Sequence, residues 1–387
     1  MTRIPFLLVG DGPQEPTGLG RIARDLGGLL ASSDLPINFA QVGGAIPPVW
    51  NRWPHLPMGE AERGSDWGAT YIEALWLDLF GDEPGVLFVV WDPSRLVGYA
   101  KLNLPVQKWT YTAIDSSNRN GAIAGPAGWA LEQFDRILAY GRWASEVLKP
   151  LRTPMPYLPH GLMTKTYSTP MNEQEQAWVK TQLGPQYREG HLLVGCVATN
   201  QPRKDLGLFC QTLAQLRSRG HKVYGWLHTD VLVKAWSIPQ LVDDCGLAKV
   251  IAVSTVEYSD RQLACMYQAC DLTIAPGLGE GFCYPIVESL AAGTPCLHGD
   301  YAGGADLIPK REWRVPIREM RLDGVYALQR PVFRPEDVAS AAQRALCWRN
   351  QVGRDTMQAY LRGSVCYLDW SQLQPRWMEW FRQGLVA

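Results

Sequence analysis

Two carboxylates, Glu280 and Glu288, stand eight residues apart in the stretch DLTIAPGLGEGFCYPIVESLAAGTPCLHGDYAGG, which runs from residue 271 to 304. It reads as a short apolar strand at Leu272 to Ala275, a glycine-rich turn, a helix opening at Pro285 and a second strand at Pro295 to Leu297. Gly277, Gly279 and Gly281 let a ligand approach the backbone closely. Proline suits the first helical position, because its missing N–H would be unsatisfied there anyway. A helix start with unpaired N–H groups and the positive end of the dipole receives phosphate. Carboxylates beside it repel phosphate but accept hydrogen bonds from sugar hydroxyls. The two preferences together suit a sugar nucleotide; the plain alternative is an ordinary strand–loop–helix capped by an acid.

A second constellation follows the strand near residue 192: Val197, Ala198, Thr199, Asn200, Gln201, Pro202, Arg203, Lys204, Asp205. Arg203 and Lys204 stand at a helix start, where the dipole disfavours cations. A bound anion accounts for them better than a solvated charge pair. A departing nucleoside diphosphate is such an anion, and stabilising its charge lowers the barrier to transfer. A third constellation, Gly10 to Gly20, follows the first strand, and its Gly18 and Gly20 with the following Ala23 match the dinucleotide pattern G-x-G-x-x-A. The glycines come well past the strand end, and the next strand closes in Gly43-Gly44 without the acid that a nicotinamide ribose wants. A glycine loop serving a nucleotide-sugar donor through Gly18, Leu19 and Gly20 is the other reading, and a plain tight turn the third.

These residues need a scaffold that brings strand ends together. Continuous apolar runs of strand length occur at 5–9, 37–42, 86–91, 109–114 and 137–140, then at 192–198, 223–227, 250–253, 272–275 and 295–297. Unbroken runs are expected of parallel strands covered on both faces. Helix-like stretches alternate with them, which predicts an α/β protein of two doubly wound domains. Residues 1–165 are expected to form the first domain, 166–365 the second, and 366–387 a terminal segment with an amphipathic helix from Leu373 to Phe381.

The 271–304 segment closely resembles the Glu-x7-Glu signature of retaining glycosyltransferases of family four. The residues that carry it are Glu280-Gly281-Phe282-Cys283-Tyr284-Pro285, Glu288, Gly293-Thr294-Pro295 and Gly303-Gly304, with Cys283 at a position where glycine is common, a small-for-small exchange. The resemblance covers the second domain firmly and the first loosely. It implies the GT-B fold: two Rossmann-like doubly wound parallel-sheet domains facing across a cleft, with the terminal helix crossing back to the first. It implies that Glu288 accepts from the ribose hydroxyls, and that Glu280 contacts the transferred sugar beside the amides of Gly281, Phe282 and Cys283, with Tyr284 opening the helix. Lys204 takes the lysine position of an Arg/Lys pair five residues apart; Thr199 departs from the arginine position, and Arg203 is the substitute. Val256, in the loop 254–258, falls where the nucleobase is usually framed. Asp92 and Asp115, at strand ends of the first domain, are candidates to orient the acceptor hydroxyl or take its proton, or else turn and helix caps. His160, His228 and His298 close strands and read as structural.

Composition narrows the classes. The chain has 387 residues, 46% of them hydrophobic and 19% charged, enough for two cores and against disorder. Its 37 basic and 38 acidic residues produce no global field for nucleic acid or anionic membrane. Nine cysteines, all at or beyond Cys196 and without a C-x-x-C pair, read as reduced thiols of a cytoplasmic protein. No apolar run approaches the ~20 residues of a membrane span, and no Asp-x-Asp pair offers a metal site. The expected activity is transfer of a sugar from a UDP- or GDP-linked donor, with no cofactor or metal. A nicotinamide-dependent oxidoreductase and a non-catalytic sugar-nucleotide-binding protein are the alternatives. Glycans, lipids, small molecules and modified DNA bases are the acceptor classes open to this architecture. A DNA acceptor would call on Arg21, Arg24, Arg63, Lys101, Lys108 and Arg119 with Trp50, Trp53 and Trp67, and the Trp/Pro-rich tract 47–76 reads as the acceptor-specific insertion.

Overall fold

A computed structural model of the chain describes residues 3–44 and 52–386, so Trp50 and the start of the 47–76 tract lie outside the described residues. The chain divides into two compact units: Met1–His160 with Gly324–Leu328 and Ser371–Ala387, and Gly161–Asp323 with Gln329–Trp370. The division therefore falls between 160 and 161 instead of at 165, and the terminal helix groups with the first unit.

Each unit is built on one six-stranded sheet, and within each sheet the recorded pairings are parallel. The first contains β1 (Ile4–Val9), β2 (Ile37–Val42), β3 (His55–Leu56), β4 (Gly85–Trp91), β5 (Val106–Thr112) and β6 (Arg136–Ala139), in the order β3-β2-β1-β4-β5-β6. The second contains β7 (Leu192–Val197), β8 (Val223–His228), β9 (Ile251–Ser254), β10 (Leu272–Ala275), β11 (Cys296–Gly299) and β12 (Arg314–Val315), in the order β12-β11-β10-β7-β8-β9. Counted from its own first strand, the second order is the reverse listing of the first. Both sheets thus change winding direction once, between β1 and β4 and between β7 and β10. Loops diverging from two such strand ends leave an opening at their carboxyl edge, where doubly wound sheets bind ligands.

Burial follows from the apolar runs. All seven residues of β4, Gly-Val-Leu-Phe-Val-Val-Trp, are buried, as a central parallel strand covered on both faces requires. The terminal helix Trp370–Val386 is amphipathic and buries Leu373, Trp377, Met378, Trp380 and Phe381. Trp377 donates from Nε1 to the Pro159 carbonyl at 3.1 Å and meets Tyr111 edge-on at 4.8 Å, while Phe381 packs on Phe6 and Phe88.

Residues 52–76, read from sequence as an insertion, are in part framework. They supply β3 at the sheet edge and the first turns of the Ala69–Phe80 helix, where Ile72 and Trp76 are wholly buried. Two further helices, Pro335–Val352 and Arg354–Val365, follow in the second unit. The first buries mostly alanine (Ala339, Ala341, Ala342, Ala345), with Val338 and Leu346. A hairpin of β13 (Glu319–Asp323) and β14 (Leu328–Val332) completes the strands described.

Trp377→Ala removes a fully buried ring and leaves the Pro159 carbonyl without its donor. A loss of ~3–5 kcal/mol is expected, read as a lowered midpoint in urea or heat; an unchanged midpoint would contradict this packing.

Candidate active site

In the second unit the winding change brings together the loops that follow β7 and β10. After β7, Pro202–Lys204 forms a short 3₁₀ turn, and Asp205 then caps the Leu206–Ser218 helix by accepting from Leu208 N. After β10, the backbone passes through Gly277 and Gly279 to Glu280. Leu278 N donates to Arg203 O at 2.8 Å, tying the two loops backbone to backbone.

Across that tie, Lys204 Nζ lies 2.6 Å from Glu280 Oε1, and Arg203 reaches Glu280 Oε2 at 3.1 Å and the Gly279 carbonyl at 3.2 Å. Glu280 is buried, whereas the Arg203 side chain is 32% exposed. Burial opposes ionisation of Glu280, but Lys204 and then Arg203 overcome it and hold the carboxyl down at about 2. Such a group is ionised at neutral pH and has no proton to give a leaving group. Two cations against one carboxylate leave a positive excess, which an anion at the exposed side of the cluster would satisfy.

Glycines make the cluster sterically feasible. A Cβ at Gly277 would stand 2.4 Å from Glu280 Oε1, so a side chain there would displace the carboxylate. The turn closes at Cys283, whose φ of 80° lies in the left-handed region. The glycine common in this signature is thus favoured by backbone conformation, and exchange for cysteine is more than a matter of size. Burial first, then the Glu280 charge, push the Cys283 thiol well up, so it is not a reactive thiolate. From Cys283 springs the Tyr284–Ala292 helix, with Pro285 near its start, no side-chain cap and no acid in its first turn.

Glu288, on that helix, is 3% exposed, and its two carboxylate oxygens accept from Tyr167 and Tyr267, each at 3.0 Å. Tyr267 is delivered by the Asp260–Ala269 helix, which a Ser259/Gln262 capping box starts. A ribose would therefore share a carboxylate already bonded, instead of finding it open. Asn200, expected on the donor side, is wholly buried: Nδ2 donates to Val231 O and Trp236 O, and Oδ1 accepts from Trp236 N. Its side chain fastens the 230–236 loop and has no amide hydrogen left for a ligand. Val256 is exposed and Thr199 half-buried on their loops. Phe282 is buried edge-on to Tyr284, and Gly281 presents its carbonyl so close to Gly303 that a Cβ there would approach to 2.2 Å.

His298, which the sequence reading assigned to structure, ends β11 wholly buried, with Nδ1 2.7 Å from the Ala275 carbonyl. Burial lowers its pKa, so the ring is neutral and Nδ1 is the donor. Its Nε2 has no hydrogen-bond partner among the described residues, and nothing in the local sequence signals this.

In the first unit, Thr17 caps the Gly18–Ala31 helix, accepting from Gly20 N at 2.9 Å and donating to Asp11 Oδ2 at 3.1 Å. Gly18 is exposed and Leu19 half-buried, while Gly20 has no room for a Cβ, which would stand 2.4 Å from the Glu15 carbonyl. Asp92 heads the 3₁₀ turn Pro93–Leu96, accepts from Ser94 and pairs with Arg95 Nε at 3.1 Å. Asp115 accepts from Ser116 at 3.0 Å. The sequence reading missed Asp11 and Arg95, which pair at 3.7 Å; only their places just after β1 and β4 could have signalled them.

Two outcomes check this geometry. Glu280 has a folded pKa below its unfolded one, so its stabilisation is complete above the unfolded value near 4.5 and is lost as pH falls towards about 2. Glu280→Gln should cost roughly 2–3 kcal/mol at pH 7, less than a fully dry pair because Arg203 reaches solvent. Urea titrations should show that gap closing between pH 5 and 2; a pH-independent gap would exclude the ion cluster. Cys283→Val, close to isosteric, should lose about 1–3 kcal/mol through the left-handed backbone, while Cys283→Gly stays within about 1 kcal/mol of the native chain. Equal effects would remove the strain argument.

Residues 191–345 match the family described as Glycosyl transferases group 1. Comparison with curated protein sequences gave no match. Among solved structures, Anabaena Alr3699/HepE in complex with UDP and glucose superposes with a TM-score of 0.72 at 14% identity, over 98% of this chain and 100% of that one. Sucrose-phosphate synthase from Thermosynechococcus elongatus gives 0.72 at 15% identity over 100% of both chains. A glycosyltransferase from Rickettsia africae gives 0.66 at 11% identity over 100% of this chain and 99% of that one. The chain has the GT-B fold, and its residues 191–345, which carry the Arg203–Lys204–Glu280 cluster, are similar to the glycosyl transferases group 1 family.

Proposed function

We propose that the protein is a retaining glycosyltransferase that moves a sugar from a nucleoside-diphosphate sugar to an acceptor hydroxyl without a metal ion. The observation that carries this reading is the net-cationic cluster of Lys204, Arg203 and Glu280 at the winding change of the second sheet, beside an uncapped helix start. The donor diphosphate takes the cationic excess, with the Tyr284–Ala292 helix dipole adding to it. As the sugar–phosphate bond breaks, negative charge grows on the departing diphosphate, and Lys204 and Arg203 stabilise it where it develops. Glu280, ionised throughout, accepts from hydroxyls of the transferred sugar and holds the two cations in place. Glu288 keeps lone-pair capacity beyond its two tyrosines and shares it with the ribose, and Val256 lies beside the base. On the acceptor side, Asp92 or Asp115 orients the attacking hydroxyl. UDP and UDP-glucose in the HepE structures favour a uridine donor. No helix among the described residues is long and apolar enough to cross a membrane.

A nicotinamide-dependent oxidoreductase is disfavoured by the first helix start, where the Thr17 hydroxyl already accepts from Gly20 N, and by Gly43-Gly44 at the end of β2 in place of a ribose-binding acid. A non-catalytic binding protein would show donor affinity without turnover.

With UDP-glucose as probe, Lys204→Ala should slow UDP release ~10²–10³-fold, and Glu288→Ala should weaken UDP binding in calorimetry. Unchanged turnover in the first and unchanged affinity in the second would sink the assignment. The anomeric configuration of the product, read by NMR, should match that of the donor; the opposite anomer would exclude retention.

A further inference from the structure

Residues 164–175, Thr-Lys-Thr-Tyr-Ser-Thr-Pro-Met-Asn-Glu-Gln-Glu, carry too little apolar surface to be fixed by a core. They form the short Thr164–Ser168 helix, an irregular stretch to Asn172 and the first turn of the Glu173–Leu183 helix, which an Asn172/Glu175 capping box starts. From Met163 to Trp178, Tyr167 is the one buried side chain. Hydrophobic burial therefore does not fix this segment, and polar bonds must.

Those bonds come from the Asp260–Ala269 helix, where Arg261 and Gln268 stand two turns apart. All five N–H donors of the Arg261 guanidinium are used on the segment. Two go side-on to Glu175 Oε1 and Oε2 at 2.7 and 2.6 Å, and three go to the carbonyls of Thr166, Thr169 and Pro170 at 3.1, 2.7 and 3.0 Å. Gln268 Nε2 donates to the Tyr167 and Thr169 carbonyls at 2.7 and 2.8 Å. At the start of the segment, Asp369 accepts from Thr164 N and Oγ1 at 3.0 and 2.6 Å. What the segment delivers is one of the two hydroxyls on Glu288: the wholly buried Tyr167 donates to Oε1 at 3.0 Å. The other comes from Tyr267, on the helix that also carries Arg261 and Gln268. With each oxygen held by its own phenol, the carboxylate cannot turn about its last bond, and its remaining lone-pair directions are set.

We propose that Tyr167 is a positioning residue for Glu288, and that residues 164–175 form a strap, latched by Arg261, which keeps the Tyr167 hydroxyl on Glu288 Oε1. The proposal deepens the donor reading and rests on Glu288 as the acceptor for the ribose hydroxyls. Latched, the strap presents a carboxylate that is oriented before the nucleotide arrives, so no binding energy is lost in turning it. Released, it takes one donor from a buried carboxylate oxygen, and the carboxylate turns to find another. Tyr267 alone cannot prevent this, because one hydroxyl on one oxygen leaves the carboxylate free to swing about that contact. Ribose recognition then falls, whereas the contacts to the diphosphate, which Lys204 and Arg203 make, do not depend on the strap.

The test is calorimetry of the full chain with UDP and with 2′,3′-dideoxyuridine 5′-diphosphate, which lacks both ribose hydroxyls. The native chain should prefer UDP by about tenfold or more. In Tyr167→Phe, which keeps the ring and removes the hydroxyl, that preference should fall by about threefold or more, while affinity for the analogue stays within about twofold. Arg261→Gln, which removes a side chain whose printed bonds all go to the strap, should lower the preference in the same way, and adding it to Tyr167→Phe should lower it no further. Gln174→Ala, at an exposed position of the strap, should leave it unchanged. Circular dichroism and the urea midpoint report whether each variant folds, and Tyr167→Phe decides by itself if Arg261→Gln does not. An equal loss for both nucleotides is what a purely structural tyrosine would give, and it overturns the proposal. So does an unchanged preference in Tyr167→Phe, or additive losses in the double variant; the donor reading survives all three. A native chain that binds neither nucleotide, or both alike, overturns the ribose role of Glu288 and this proposal with it.

Discussion

Each parallel sheet changes its winding direction once, and the rest of the molecule follows from that constraint. Strands on either side of the change send their loops apart, so main-chain atoms and side chains at those ends must find partners other than the next βα unit. In the second unit they find one another: Leu278 bonds to Arg203 across the gap, and Glu280 is drawn into the sheet edge by two cations. A buried carboxylate alone would be neutral or expelled; flanked by Lys204 and Arg203 it is ionised at about 2. The cluster is therefore interdependent, and removing any one charge changes the state of the others.

The same topology serves opposite chemistry in the two units. The second presents two cations around one carboxylate beside a helix start. The first presents two carboxylates around one guanidinium, which lies over the partly exposed Trp67 ring. The difference lies in the few residues after each central strand, which the fold leaves free to vary because they carry no sheet hydrogen bonds.

Backbone strain gathers at the same places. Of the five described non-glycine residues with left-handed φ, four lie there: Trp67 beside Arg95 and Trp91, Asp205 after Lys204, Cys283 after the Glu280 turn and Ala302 before the Gly303 that packs on Gly281; the fifth, Ala327, lies in the turn between β13 and β14. Positions of this kind persist only where surrounding contacts over-determine them. Here the contacts are identifiable: the Tyr99 hydroxyl on Trp67, the Leu208 amide on Asp205, and the Gly281–Gly303 approach near Cys283 and Ala302.

The sequence by itself determined the α/β class and ten of the twelve sheet strands to within a few residues, and it singled out Glu280, Lys204 and Arg203 separately as candidates. Unbroken apolar runs and a glycine-rich turn before Pro285 are local signals, readable without knowing what lies across from them. The short strands β3 and β12 gave no such run. Only the tertiary structure decided what each polar group does. It turned Asn200 inward to fasten a loop, gave both oxygens of Glu288 to tyrosines 121 and 21 residues away, and joined Asp11 to Trp91 across 80 residues. Hydrogen bonds and ion pairs of that span depend on which strands become neighbours, and sheet order is a property of the folded chain that no local residue pattern encodes.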